Sequence, residues 1–400
     1  MRKALAIVVA AIAAFGFGAS ARAEEPIRIG ILNDQSGPYS AIDGPTSVDA
    51  ARMAVEDFGG TVLGRKVEVV SADHQNKADV GSTIARKWFD VDGVTAILDV
   101  AVSSVALAVQ ELARERNKIV IYSGAGTSDL TGKACSPTSV HWTYDTYALT
   151  AGTSRAIVGQ GGDSWYFISS DNAFGQALQR DSTKAITAAG GKVVGSVLHP
   201  YGTPDFASYI LQAQSSGAKV VALANAGEDT KNAIKTGTSM GMTETQQMLG
   251  LLTLLPDVHG LGLDAAKGLL VTESFYWNMN DETRSWSKRF FERNNVMPHM
   301  VPAGVYGSVM HYLKAVKQAG TTESAVVMKA MKEMPINDFM TKNGHIREDG
   351  RVLRDFYIFR VKAPDQAKEP WDYYELVATI PADQAARPLA ESECPLIKNQ

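Results

Sequence analysis

Ser103 and Ser104 stand in "DVAVSSVALAV", where the apolar run Val94–Leu98 gives way to a helix-like run. Two hydroxyls at a strand-to-helix junction suit one of two jobs. The first is an N-cap, in which a serine oxygen accepts a free N–H of the first turn. The second is an anion site, because that turn offers unpaired N–H groups and the positive end of the helix dipole. Glu228 and Asp229 also open a helical run. Paired carboxylates can do acid–base work, but at a helix start they more simply complement the dipole.

No reaction signature surrounds these residues. The chain has no G-x-S-x-G elbow, no G-x-x-x-x-G-K-[ST] phosphate loop and no H-E-x-x-H metal helix. "GAGTSDLTG" (Gly124–Gly132) has the wrong spacing for a dinucleotide fingerprint, so no cofactor is expected. His74, His141, His199 and His259 read as surface or loop residues rather than metal ligands. A net charge of −4, with no basic stripe and no zinc-type Cys/His spacing, sets nucleic acid aside. The expectation is a binding protein and not an enzyme.

The elements that must position the serines follow from the pattern. "MRKALAIVVAAIAAFGFGASARAEEP" has a basic start, an apolar stretch and Ala21-Arg22-Ala23, the form of a secretory signal peptide over residues 1–23. No later apolar run is long enough to span a bilayer. The mature chain is therefore expected in a bacterial periplasm. In that oxidising compartment an even cysteine count favours a Cys135–Cys394 disulfide over two separate buried thiols.

Four hundred residues suggest two domains. "IRIGILND", "KVEVVSAD", "VTAILDV" and "KIVIYSG" read as strands separated by helices. The alternation restarts after Tyr144 with "SWYFISSD", "KVVGSVLH", "AKVVALANA" and "QQMLGLL". Such alternation implies parallel sheets with right-handed crossovers, here an α/β fold of two doubly wound, Rossmann-like lobes. The last hundred residues read as pieces that return to complete those lobes. Ligands in open parallel sheets sit beyond the strands' carboxyl ends. Those ends are rich in small and polar residues: Asn33–Gly37, Ser103-Ser104, Ser123–Ser128, Ser169–Asn172 and Asn225–Asp229. Trp88, Trp165 and Trp286 read as core.

At these edges the chain resembles a known family. "QSGPYS", "VSSVALAVQELARERNKIVIYSGAGTSDLTG", "SSDNAFGQALQ" and "DAAKGLLVT" occur in this order behind the signal peptide. Together they are similar to the type I periplasmic solute-binding proteins of branched-chain amino acid ABC transporters, the leucine/isoleucine/valine-binding group. The resemblance implies two lobes joined by three crossing strands, closing on a ligand. It divides the chain into residues 24–143 plus 273–345, residues 144–272 plus 346–381, and a tethered tail, 382–400. It implies a monomer that hands a small carboxylate to an inner-membrane ABC permease.

The family's carboxylate-gripping serine matches Ser103, with Ser104 one step away. The family's alanine and threonine after the next strand match Ala125 and Thr127. Its covering aromatic matches Phe174, and its first-loop contact matches Ile42 or Tyr39. Trp142 and Tyr144 stand near the crossing. The family's carboxylate for an α-ammonium falls on Leu252, and its second-lobe tyrosine falls on Ala226 or Gly227. A buried ammonium without an anionic partner is costly, so an α-amino acid fits only if Asp145 or Asp229 substitutes. A carboxylate clamp facing a roomy apolar chamber suits the branch that binds aromatic acids such as benzoate and cinnamate derivatives. Asn225, Asp229 and Asn172 are candidate partners for ring hydroxyls; Tyr201 and Tyr276 are left unplaced. The alternatives are a branched-chain or other amino acid in the same role, and a ligand sensor for a chemoreceptor.

Overall fold

Strand β1 (Ile27–Asn33) is buried at every position but one in the computed structural model, which describes residues 25–398. The expected signal peptide lies outside the described residues. A strand paired on both sides and covered on both faces must be nearly continuously apolar, as "IRIGILN" is. The chain then forms α1 (Ser40–Asp43), α2 (Pro45–Phe58), β2 (Thr61–Val62), β3 (Arg65–Asp73), α3 (Ala78–Asp90), β4 (Val94–Asp99), α4 (Ser103–Glu115), β5 (Ile119–Tyr122) and β6 (Ser139–His141). Pro45 presets the backbone for the first turn of α2. Val48, Ala51, Met53 and Val55 bury its inner face, and Gly59, at φ 102°, ends it. Strand order is β2-β3-β1-β4-β5-β6, parallel apart from the β2–β3 hairpin. The sequence pattern did not reveal β6, since three residues are too few to show a period.

The second lobe repeats the plan with α5 (Thr146–Gly159), β7 (Ser164–Ser170), α6 (Ala173–Ala188), β8 (Lys192–His199), α7 (Ala207–Ser215), β9 (Val220–Ala224), α8 (Glu228–Ser239) and β10 (Gln247–Gly250). Its parallel order is β10-β9-β7-β8. In each lobe the first strand has its successors on opposite sides, β3 and β4 beside β1, β8 and β9 beside β7. The loops leaving those strands diverge and open a crevice at the carboxyl ends.

The rest of the chain returns to both lobes. It forms α9 (Leu255–Leu261), α10 (Leu263–Ala266), β11 (Leu270–Glu273), α11 (Asp281–Asn294), α12 (Met300–Ala319), α13 (Ser324–Glu333), β12 (His345–Ile346), β13 (Val352–Leu353), β14 (Phe356–Val361) and β15 (Tyr374–Ile380). Helix α12 packs on α2 of the first lobe, whereas the antiparallel sheet β11-β14-β15 packs on α5 of the second. The crossing segments touch one another. Ser274 Oγ donates to Thr143 O at 3.5 Å, and the Arg354 guanidinium lies 5.5 Å from the centre of the Trp142 ring. Cys135 and Cys394 form a disulfide, with Cα atoms 5.6 Å apart, which fixes the C-terminal tail to the first lobe. Among the described residues no helix is long and apolar enough to cross a membrane.

Candidate ligand-binding site

The two crevices face each other across a chamber. Its walls come from the carboxyl ends of six strands. The first lobe supplies Tyr39, Ile42 and Asp43 after β1, Ala101 to Ser104 after β4, and Gly124 and Gly126 after β5. The second supplies Asn172, Ala173 and Phe174 after β7, Ala226 after β9 and Leu252 after β10, with Tyr144 at the crossing. The lobes touch across its mouth. Asn76 Nδ2 donates to Tyr201 Oη at 2.7 Å, and the rings of Tyr39 and Tyr201 are 5.0 Å apart.

The α4 end of the chamber is built by a strained loop. Asp99, Val100 and Val102 have φ of 74°, 41° and 61°, a region costly for non-glycine residues and most of all for β-branched ones. The turn delivers Ser103 as the first residue of α4. The N-cap is therefore Val102, which has no side-chain cap bond, and the capping role expected of the serines is corrected. Buried Ser103 Oγ instead accepts the Thr127 N–H at 3.1 Å. With that lone pair engaged, the Ser103 hydroxyl proton is left to donate elsewhere. Ser104 is exposed. Both residues line the chamber, beside first-turn N–H groups that no helical carbonyl can satisfy.

The aromatic wall depends on a glycine. A Cβ on Gly126 would stand 2.7 Å from Phe174 Cε2 and 3.0 Å from Tyr144 Cε2, so only glycine lets both rings close over the β5 loop. Tyr144 Oη is anchored to Gly124 O at 2.6 Å. Asn172 caps α6 through the Gly175 N–H at 2.9 Å, which aims Phe174 inward.

Tyr39, Ile42, Ser103, Ser104, Tyr144, Phe174 and Leu252 thus share one chamber, and six other expected residues do not line it. Ala125 packs in the first-lobe core, and its carbonyl bonds His141 Nε2 at 2.8 Å. Thr127 acts on the wall only through Ser103. Trp142 lies at the crossing beneath Arg354 and beside His311. Asn225 is spent on His199 Nε2 and the Thr230 hydroxyl. Asp229 accepts the Gly202 N–H at 3.0 Å, and burial pushes its carboxyl above the usual range. Gly227 adopts φ 59°, and a Cβ there would meet Pro38 O at 3.0 Å. Tyr39 and Ile42 of the opposite lobe fill the space it leaves, so the chamber is tighter than expected. Tyr276 lies in the core beside Tyr374 and Phe359. His74, His141 and His199 are buried rather than at the surface: His199 packs against Phe206, Tyr209 and Asn225, and His141 against Tyr122 and the Ala125 carbonyl. Burial lowers the pKa of His74 and of His141 to about 4.

Sequence reasoning missed Asp43. Its side chain is fully buried on the chamber wall, and neither carboxyl oxygen has a hydrogen-bond partner among the described residues. Burial, then the charges of Asp99 and Asp34, push its carboxyl well above the usual range. Asp99 lies beside it. Burial raises the Asp99 pKa to about 7, against the opposing hydrogen bond from Asn33 Nδ2 at 3.1 Å. The signal was present in "SGPYSAID", where the acid directly follows the expected contact Ile42.

A family model described as periplasmic binding protein matches residues 26–368. The chain is 25% identical over 375 residues to a Leu/Ile/Val-binding protein homolog of Brucella melitensis, covering 90% of this chain and 93% of the relative. The crystal structure of a periplasmic binding protein from Burkholderia mallei superposes with a TM-score of 0.92 at 47% identity, covering 93% of this chain and 99% of that one. That of a branched-chain amino acid ABC transporter periplasmic ligand-binding protein from Burkholderia xenovorans gives 0.83 at 38%, covering 93% and 100%. Two doubly wound lobes around one chamber, matched along most of their length, place this chain in the periplasmic binding protein family, the solute-binding components of ABC transporters.

Proposed function

We propose that the protein captures a small aromatic monocarboxylate between its lobes and presents it to an inner-membrane ABC permease. The observation that carries this reading is the pairing of opposite walls. Leu252 and Phe174 of the second lobe face the α4 N-terminus with Ser103 in the first. One wall suits a carboxylate, and the other suits a flat apolar body. The ligand contacts both lobes and shifts the population toward the closed arrangement. In this reading the chain is a periplasmic monomer, cleaved after Ala23, that performs no chemistry. The lobes divide as residues 24–143 with 273–345 and 144–272 with 346–381.

An amino acid is the second reading, and one observation favours it: the Asp43 carboxyl on the chamber wall has no partner among the described residues, and an ammonium placed there would favour its ionised, accepting form. A thermal-shift screen of benzoate, 4-hydroxybenzoate and cinnamate against leucine, isoleucine and valine separates the two. A ligand at ~100 times its Kd adds ~2.7 kcal/mol. The aromatic acids are expected to raise Tm. Stabilisation by leucine alone sinks the aromatic reading.

A further inference from the structure

The carboxylate end of the chamber holds a feature that the proposed function does not use. A Cβ on Gly124 would stand 3.0 Å from Asp99 Oδ1, 3.1 Å from Asp43 Oδ2 and 3.1 Å from the Cα of Ala101. Two buried carboxyls and the strained loop that opens α4 therefore converge on one point of the chamber wall. Asp99 Oδ1 and both oxygens of Asp43 lack partners among the described residues, whereas Asp99 Oδ2 accepts from Asn33.

Among the described residues no cation faces the pair. Asp34 and Asp73 flank it, with Asp34 already accepting from Gly37 N, Tyr39 N and Asn76 Nδ2. His74 and His299 are both held neutral by burial. Tyr39 and Tyr144 close in from the chamber, and Tyr201 and Asp229 approach from the second lobe. Among the described residues no ion pair involves Asp34, Asp43 or Asp99.

Two adjacent buried carboxylates cannot both ionise cheaply, and a ligand carboxylate at the α4 N-terminus would be a third negative charge in the same space. A retained proton resolves this, since a neutral carboxylic acid is a hydrogen-bond donor. We propose that Asp43 contacts the ligand directly and that the Asp43–Asp99 pair holds one proton, which it offers in a hydrogen bond to the ligand carboxylate. The proton stays on the pair, and capture is linked to its retention. This inference rests on the carboxylate reading above.

The test is calorimetric titration between pH 6 and pH 8.5, where benzoate and 4-hydroxybenzoate are fully ionised, in buffers of different ionisation enthalpy. Affinity is expected to fall with rising pH, approaching about tenfold per unit once the free pair has lost its proton. Binding should then take a proton up from the buffer. Asp43→Asn keeps an N–H donor and is expected to flatten that slope. Affinity independent of pH with no proton uptake overturns the inference and leaves the carboxylate reading intact. Tighter binding at high pH with proton release also overturns it, because the carboxyl then accepts a ligand cation. If neither acid binds at any pH, the carboxylate reading fails first and this inference falls with it.

Discussion

Two sets of buried carboxyls, one on the chamber wall and one beside the C-terminal tail, are treated in opposite ways. At the chamber, Asp43 and Asp99 have no cation beside them among the described residues, and burial drives both toward the neutral form. At the tail, buried Asp145 and Asp181 each face an arginine. Burial opposes ionisation of Asp145, but Arg351, 3.0 Å away, and the Ala148 N–H hold its carboxyl below the usual range. Asp181 accepts from Ser128 and Thr146, each at 2.6 Å, and pairs with Arg387 of the tail at 3.0 Å. Arg347 Nη1 in turn donates to Arg387 O at 2.7 Å. Paired charges specify one geometry and lock the first lobe, the second lobe and the tail together. Unpaired ones leave unspent capacity where a ligand enters.

The largest expected effect breaks the paired side. Arg351→Ala strands Asp145 in the interior and also removes the donor to His141 O. Loss of one partner of a buried pair costs about 3–5 kcal/mol, read as a lower urea midpoint at pH 7. A loss below about 1 kcal/mol would mean that water already reaches the pair.

The unpaired side should respond with the opposite sign. Folding raises the Asp99 pKa, so its contribution is fully present below the unfolded value of about 4 and is lost as pH rises through about 7. Asp99→Asn removes the titration. Asparagine tolerates the left-handed backbone at φ 74° and can still accept from Asn33. At pH 8 the variant should be more stable than wild type by up to about 4 kcal/mol, three pKa units at about 1.4 kcal/mol each, and at pH 4 the gain should vanish. Equal stability of the two chains at pH 8 in urea unfolding would show that Asp99 ionises at little cost.

How legible this contrast was depends on the distance over which each feature forms. Helices and strands came from local periodicity, and the strand-end rule pointed to five of the six loops that wall the chamber. Leu252 and Phe174 came from the family resemblance, counted from motifs a few residues away. Asp43 did not, because its meaning lies in Asp99, which is distant in the chain and meets it only at Gly124. Asp145 was weighed as an ammonium partner since nothing near it in sequence announces Arg351. The capping role suggested for the serines fails because Asp99, Val100 and Val102 adopt positive φ, a backbone that local pattern does not announce at valine. Asn225 and Asp229 sit at the expected strand end, but their side chains are consumed by neighbours that only the folded chain supplies.

The smallest effect separates two adjacent hydroxyls. Ser103 is buried and oriented by the Thr127 N–H, whereas Ser104 is exposed and its hydroxyl has no partner among the described residues. If orientation is what turns the α4 turn into a carboxylate site, Ser103→Ala should weaken 4-hydroxybenzoate by about 1.5 kcal/mol. It should also cost about 1 kcal/mol of stability, because Thr127 N–H loses its acceptor. Ser104→Ala should change both by less than about 0.5 kcal/mol. Losses of affinity below about 0.5 kcal/mol at both positions, by titration calorimetry, would instead assign recognition to the helix N–H groups and dipole. The hydroxyls would then be incidental, and the contrast between chamber and tail would rest on the carboxyl pair alone.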